Sequence, residues 1–538
     1  MLEVNERPDL VATAEDAMYA NAAEHRMTLW EALKTYPKAI GWSLAFSTAV
    51  VMEGYDTNLL ASFYGLPQFN QKYGTRDAAG NYQLSAAWQS GLSQGATVGE
   101  ILGLFLNGWL SDRFGYRRMM MVSLCCVIGF IFILFFAPNV QTLEVGELLC
   151  GIPWGVFQTL TTTYAADVCP TALRAYLTTY VNLCWVFGQL ISSGVLRSML
   201  NRHDQWAYRV PFSIQWIWPV PILIAVIFAP ESPYYLIRKG KLKEAEHSIR
   251  RLASASENVD PAKTVAQMIH TNEIEKATTA GYTYWDCFKG VNLRRTEIAC
   301  VVWAIQNICG SSFMGYSTYF YEQAGLSSTY SYDFSMIQYA LGAIGTFLSW
   351  FAMMHIGRRT LYTGGLAILT TLLFIIGFLS LAPKSEPGPK WATGSMLLIY
   401  TFFYDFTVGP VCYSLVSEIP STRLRIKTVV LARNVYNLNG IWAGVITAYM
   451  LNPTAFDWAG KAGFFWGGWC LVSCIYCYFR LPEPRGRTYE ELDLLFEQHT
   501  PARKFKKTEV DPFRRPSFAV LNDKENAKGN AENIEKAS

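Results

Sequence analysis

Twelve apolar runs, many of about twenty residues, dominate this chain. They fall near 39–63, 86–110, 119–137, 143–166, 176–200 and 210–229, then near 297–321, 334–356, 361–382, 393–417, 428–451 and 462–480. A helix rises about 1.5 Å per residue, so about twenty residues cross a hydrocarbon core of about 30 Å. Lipid offers no hydrogen bonds, so such a segment must satisfy its own backbone and is helical. Only 16% of the residues are charged, where soluble domains carry about 25%, which points to a polytopic membrane protein. The expected fold is all-α, with twelve transmembrane helices in two six-helix halves.

The two halves punctuate alike. Pro230-Glu231-Ser232-Pro233 follows the sixth run, and Pro482-Glu483-Pro484-Arg485-Gly486 follows the twelfth. A basic turn follows the second run of each set: Gly115-Tyr116-Arg117-Arg118 and Gly357-Arg358-Arg359. The boundaries predict a tail at 1–38, a half at 39–230, a polar helical linker at 231–296, a half at 297–481 and a C-terminal segment at 482–538. Lys and Arg in the short loops barely favour either side. The flanks of the linker (Arg238, Lys239, Lys241, Lys243, Lys289, Arg294 and Arg295) tip the balance toward cytosolic tails and linker. A short interfacial helix is expected near Thr28–Thr35 and a soluble one over Lys241–Leu252. Residues 500–538 are charged and poor in large apolar side chains, which predicts a mostly disordered segment.

The start is polar and acidic, unlike a cleavable signal, and no glycosylation sequon with a permitted middle residue occurs. A net charge of +3 and the lack of any basic motif argue against a nucleic-acid partner. Of the twelve cysteines, all but Cys287 lie in or beside apolar runs, as packing residues do, so no metal site is expected. No nucleophile–base pair, phosphate loop or metal cluster suggests an enzyme.

Charges inside the runs are the chemical signal. Glu53 and Asp56 sit near the middle of the first run, three residues apart and so on one helix face. A charge at that depth costs about 2.5–3.5 kcal/mol on insertion scales, so this face must meet protein or water. Glu100 lies in the second run, Glu147 in the fourth, Asp405 in the tenth and Arg433 in the eleventh. Buried ions of this kind either carry protons or pin helices together.

The stretch from Gly108 to Arg118, GWLSDRFGYRR, resembles the signature loop of the major facilitator superfamily. Its second copy has Met354 where that family usually has Asp. Further motifs resemble the sugar porters within it: Gly54-Tyr55-Asp56; Asp167 to Arg174 at the end of span four; Pro230 to Pro233, with Tyr234 in place of an arginine; Gly409-Pro410 followed by Glu418, Arg423 and Arg425; and Pro482 to Thr488 with Glu490-Glu491-Leu492. The resemblance covers about 39–497, and Cys150 to Gly155 (CGIPWG) with Glu100 look most like fungal α-glucoside, maltose-type, proton symporters.

This resemblance implies the major facilitator fold, a sugar site at mid-membrane between the halves, and uptake of an α-glucoside with a proton by alternating access. The expected substrate-binding residues are Asn182, Gln306, Asn307, Ser312, Tyr413 and Asn437, with Asn434 a weaker candidate. Amides offer sugars both donors and acceptors, although amides in spans also tie helices together. Tyr316 and Tyr319 stand where residues gate entry or simply pack. Proton coupling is expected of Glu53, Asp56, Glu100, Glu147 and Arg433, where Glu147 replaces the arginine common in sugar porters. A cytosolic latch is expected from Asp112, Arg113, Arg117, Arg118, Asp167, Arg174, Glu231, Arg358, Arg359, Glu418, Arg423, Arg425 and Glu483. The implied partners are a sugar and the bilayer, with the plasma membrane the expected location, no nucleic acid, no cofactor beyond the coupling proton and an open oligomeric state. An uncoupled facilitator shares these motifs, while a sugar sensor would call for a longer signalling tail.

Overall fold

The computed structural model describes residues 27, 29–76, 82–254, 260–266, 268, 269, 283–383, 387–421, 424–485, 487 and 489–508. Each half is six spans. Spans one to six are Pro37–Ser47 continued by Val50–Phe63, Ala86–Phe114, Tyr116–Phe136, Val140–Val168, Thr171–Met199, and Trp206–Ile214 continued by Pro219–Phe228. Spans seven to twelve are Gly290–Ile308 with Ser312–Gly315 and Ser317–Gln323, Ser328–His355, Arg358–Leu379, Pro387–Phe406 with Val408–Glu418, Arg425–Leu451, and Ala462–Arg480. Six helices among the described residues are long and apolar enough to cross a membrane on their own composition, belonging to spans three, six, eight, nine, ten and twelve. The remaining spans are less apolar because they carry the buried acids and amides, and spans one and seven are also interrupted.

Within the first half span one packs on five, two on four, and three on six; the second half repeats this as seven on eleven, eight on ten, and nine on twelve. The halves join crosswise, span five against eight and span two against eleven. Glycines set the tightest crossings. A Cβ on Gly99 would lie 2.2 Å from the Leu148 carbonyl oxygen, and one on Gly151 would lie 2.1 Å from that of Ala96. Gly54 and Gly188 bring spans one and five together in the same reciprocal way, at 2.0 Å from Trp185 O and 2.2 Å from Val51 O. Without a hydrophobic drive between helices in lipid, such close backbone contact is what holds them.

Two spans of the second half are broken, and each break is tied to the other helix. Span seven stops at Cys309, where Gly310 takes φ +99°, a conformation open to glycine. Span ten stops at Thr407, three residues before Pro410, whose ring excludes the Phe406 carbonyl. Side chains tie the two breaks together: Tyr400 of span ten donates to Cys309 O, at the end of the first helix of span seven, at 2.8 Å, and Gln306 of span seven donates to Gly409 O, just past the span-ten break, at 2.8 Å. Backbone irregularity at this depth is tolerated only where such partners exist.

The end of the bundle opposite the chain's tails is sealed across the halves. Ser62 and Thr318 hydroxyls meet at 3.0 Å, Tyr332 donates to Ser62 O at 2.8 Å, and Tyr339 donates to Asn58 Oδ1 at 2.9 Å. Arg197 pairs with Asp333 at 2.6 Å, Gln83 donates to the Tyr319 hydroxyl at 2.8 Å, and Asn452 donates to Leu84 O at 3.0 Å.

Outside the spans, helices occupy Leu29–Thr35 and Leu242–Leu252, close to the expected positions, and also Pro233–Arg238. A two-residue ladder, Thr75–Arg76 against Tyr82–Gln83, is a small departure from an all-helical chain. Residues 500–508 also depart from the expected disorder. Phe505 is fully buried, its ring 5.0 Å from that of Phe496, and Arg294 donates to Thr500 O at 3.0 Å. The helix Tyr489–Glu497 is fastened nearby by the Arg295–Asp493 ion pair. One buried aromatic and two docking arginines outweigh the polar composition that predicted disorder; residues 509–538 lie outside the described residues.

Gly151→Ala should lower the thermal midpoint of the purified protein by an amount matching about 1–3 kcal/mol of overpacking, because the atoms it would strike all belong to the Ala96 backbone. Gly129→Ala, where a Cβ meets nothing within 4 Å, should leave the midpoint unchanged. Equal midpoints for the two variants would show that the span two–span four crossing is not tight.

Candidate functional site

Every residue of Val50–Phe63 except Thr57 is buried, so neither acid of span one faces lipid or bulk water. The two acids take different partners despite their shared face. Glu53 Oε1 accepts from Nε2 of Gln158 on span four, and Gln158 Oε1 accepts from Nη2 of Arg433 on span eleven. One amide thus connects an acid of the first half to a base of the second. Arg433 lies over the rings of Tyr436 at 4.7 Å and Trp303 at 5.5 Å, contacts that suit a desolvated guanidinium. Glu100, 7% exposed, faces Glu53 and Arg433 from span two. Glu53 Oε2 has no hydrogen-bond partner among the described residues, and Trp185 lies beside the carboxyl.

Asp56 Oδ1 accepts from Nε2 of Gln215. Gln215 is on the tight turn Gln215–Ile217 that precedes Pro219, and the proline ring excludes a helical bond to the Gln215 carbonyl. Beside Asp56 stands Glu147 of span four, fully buried. Asp56 Oδ2 and both Glu147 oxygens lack a hydrogen-bond donor among the described residues. Asp405 lies apart from this cluster, against Gly342 of span eight. Gln158 and Gln215 were not among the residues expected from sequence. The available signal was spacing: Gln158 follows Glu147 by eleven residues, close to three helical turns and so on the same face.

The expected sugar-binding residues spread over spans five, seven, ten and eleven. Gln306 is 4% exposed and spends its donor on the span-ten break described above. Asn307 donates to Tyr436 O at 2.7 Å, joining spans seven and eleven. Tyr413 packs edge-on against Trp303 at 5.8 Å yet is 39% exposed, so it borders open space beside the Arg433 cluster. Asn437 is 2% exposed and its Nδ2 has no partner among the described residues, a donor in want of an acceptor. Asn182 and Ser312 are half-buried on span five and on the short helix after the span-seven break. Tyr316 and Tyr319 pack at the sealed end around Tyr64 of span one, with ring centroids 6.2 and 6.4 Å away.

The tail-side motifs form the same device twice. Glu231 accepts from the backbone N–H groups of Tyr116 and Arg117 at 3.0 and 3.2 Å, capping span three from the end of span six. Glu483 accepts from those of Arg358 and Arg359 at 2.8 and 3.1 Å, capping span nine from the end of span twelve. An anion at a helix N-terminus meets unpaired N–H groups and the positive end of the dipole. The glycines beside the caps make room: a Cβ on Gly115 would lie 2.6 Å from Glu231 Oε2, and one on Gly357 would lie 2.1 Å from Glu483 Oε2. Burial raises the Glu231 carboxyl above its ordinary value, with the N–H groups of Ser232, Arg117 and Tyr116 opposing.

The halves then diverge. Arg358 pairs with Glu418 at 3.2 Å, but Tyr116 stands at the matching place, and Asp167 accepts from Ser232 Oγ at 2.6 Å. Arg117 and Arg359 bond the carbonyls of Ile227 and Tyr478, the latter at 2.7 Å. Arg113 lies over Trp109 and Phe114, Arg118 stands near Tyr235, and Arg425 is half-buried. The bonds found for Glu231, Glu483, Arg117, Arg358 and Arg359 stay within their own half. Arg423 and the side chains of Asp112 and Arg174 lie outside the described residues.

Comparison with known proteins agrees with this geometry. The profile of the family described as "Sugar (and other) transporter" matches residues 42–496. The chain is 45% identical over 529 residues to the maltose permease MAL31 of Saccharomyces cerevisiae, covering 96% of this chain and 85% of that protein. It is 43% identical over 506 residues to the general alpha-glucoside permease of the same yeast, covering 93% and 82%. Among solved structures, a partially occluded inward-open form of the xylose transporter XylE from E. coli superposes with TM-score 0.69 at 18% identity, covering 84% of this chain and 100% of that one. The proton:xylose symporter XylE bound to 6-bromo-6-deoxy-D-glucose gives 0.67 at 21%, covering 86% and 99%. The chain belongs to the sugar transporter family, has the major facilitator fold, and is a multi-pass membrane transporter rather than an enzyme.

Glu231→Ala and Glu483→Ala should each cost about 0.5–2 kcal/mol of stability, as the loss of a helix cap does. Because the caps sit in different halves, the double variant should lower the thermal midpoint by the sum of the two shifts. A sum exceeded or missed by more than about 0.5 kcal/mol would mean that the caps communicate.

Proposed function

We propose that the protein carries an α-glucoside such as maltose into the cell together with a proton. The observation that carries this reading is the charge imbalance at the junction of the halves. Of four buried acids, Glu53 and Glu100 face one base, Arg433, while Asp56 and Glu147 face each other. Burying unpaired carboxylates is prohibitive, so such a cluster is held neutral by protons and exchanges them with whichever side it opens to. The relatives named maltose and alpha-glucoside permeases, at 43–45% identity across both halves, support the substrate.

In this mechanism the sealed end faces outward and both tails and the linker are cytosolic, at the plasma membrane. The residue bounds 1–38, 39–230, 231–296, 297–481 and 482–538 divide tail, half, linker, half and tail. Asn182, Gln306, Asn307, Ser312, Tyr413 and Asn437 hold the sugar; amides meet its hydroxyls and Tyr413 packs on its C–H face. The halves rock about that site, and the membrane potential supplies about 2.3 kcal/mol per charge per 100 mV. The tail-side charged residues, from Asp112 to Glu483, latch the halves when the opposite end opens. No bond is made or broken.

Asp56→Asn has the shape of a protonated aspartate but cannot titrate. It should abolish accumulation above equilibrium and flatten the pH dependence of uptake, while sugar-for-sugar exchange continues at a reduced rate. Accumulation ratio against external pH, normalised to surface protein, checks this in a host lacking its own sugar permeases. Persistent accumulation would remove Asp56 from coupling, and uptake without medium alkalinisation even in the unaltered protein would make it a facilitator. For the sugar, Asn437→Ala should raise the half-saturation concentration about five- to a hundredfold at normal surface expression, since a buried donor loses its hydroxyl partner. An unchanged half-saturation value would exclude Asn437 from the site.

A further inference from the structure

We propose that Gln158 is the positioning residue that lets the protonation state of Glu53 decide how firmly the two halves hold each other. This rests on the proton-coupled reading above and goes beyond it, because it names the element that passes the signal. A carboxylate only accepts hydrogen bonds and a guanidinium only donates them. An amide between them has one orientation that satisfies both, with Nε2 toward Glu53 and Oε1 toward Arg433, and Gln158 adopts it. Glu53 is 3% exposed and belongs to the first half; Arg433 belongs to the second and is clamped by Trp303 and Tyr436. Gln158 is therefore a bond between halves at mid-depth, distinct from the seal at the far end.

Protonation changes that bond. While Glu53 is ionised, its link to Gln158 is charge-assisted, and charge-assisted hydrogen bonds are roughly twice as strong as neutral ones. A proton entering at Glu53 Oε2, the oxygen without a partner among the described residues, removes the charge and weakens the link at Oε1. Polarisation through the amide then weakens its hold on Arg433 as well. Deprotonation tightens the span one–four–eleven contact, and protonation loosens it. The groups facing Glu53 set this balance: Asp56 on its own helix, Glu100 from span two, Arg433 and Tyr436 from span eleven, and Tyr413 from span ten. Trp185 from span five and Gln158 from span four add no titrating charge.

The test is Gln158→Met, which keeps length and bulk but can neither donate nor accept in this way. Maltose accumulation against external pH and maltose counterflow are measured per surface molecule in the full-length protein. The expected result is an accumulation ratio lowered about tenfold, within the usual range for coupling between two sites, with a flattened pH profile and a smaller loss in counterflow. Combining Gln158→Met with Glu53→Gln should add nothing further, because each alone already abolishes the charge-assisted link. If Gln158→Met keeps the accumulation ratio and pH profile while Glu53→Gln loses them, the relay is wrong and the proton-coupled reading stands. If both variants keep them, Glu53 carries no coupling proton and the relay falls with it. Should the methionine variant fail to reach the membrane, Gln158→Leu is read by the same criteria.

Discussion

A backbone that leaves helical geometry inside lipid must find its hydrogen bonds in neighbouring side chains. That constraint organises the second half of this protein. The span-seven break at Gly310 and the span-ten break at Thr407 lie side by side, and Tyr400 and Gln306 close them reciprocally. The amides proposed to hold the sugar are consequently not free-standing. Gln306 and Asn307 are structural ties between helices, each with its carbonyl oxygen left to accept. A residue of this kind affects binding and helix geometry together, so its role is best read beside Asn437, whose donor has no such tie.

The first half meets the same depth differently. Its spans one and five cross on glycines, and its buried polarity is carboxylic. Glutamines serve as the counterpart to those acids: Gln158 to Glu53, and Gln215 to Asp56. Arg433 meets the first-span acid Glu53 through an amide, Gln158. Because Glu147 stands where sugar porters commonly have arginine, Asp56 faces a second carboxyl rather than a cation.

Much of the fold was legible because hydropathy and repeated punctuation report directly on bilayer thickness and duplication. The twelve runs matched twelve spans, and Glu231 and Glu483 marked corresponding places. What hydropathy could not show was the interruption of spans seven and ten. Gly310 and Pro410 were visible, but only the neighbouring Tyr400 and Gln306 make breaks there affordable. Gln158 and Gln215 escaped notice because a glutamine in a span reads as ordinary helix glue until its partners are known. The docking of 500–508 could not be read from composition, which averages over a segment, while one buried Phe505 helps to fasten it. The tail-side arginines were read as a latch between halves, whereas the bonds found for Arg117, Arg358 and Arg359 close inside each half in this state.

The reciprocal stitching of the two breaks has a mechanical consequence. If span seven swings at Gly310, it carries Gln306 and Cys309 with it, pulling on Gly409 and releasing or dragging Tyr400. Span ten cannot bend at Thr407 without doing the same in return. The two joints are therefore geared to each other through both bonds, and a half-bent intermediate would have to break at least one of them. Motion of this pair should be switch-like, with the two helices turning together or not at all.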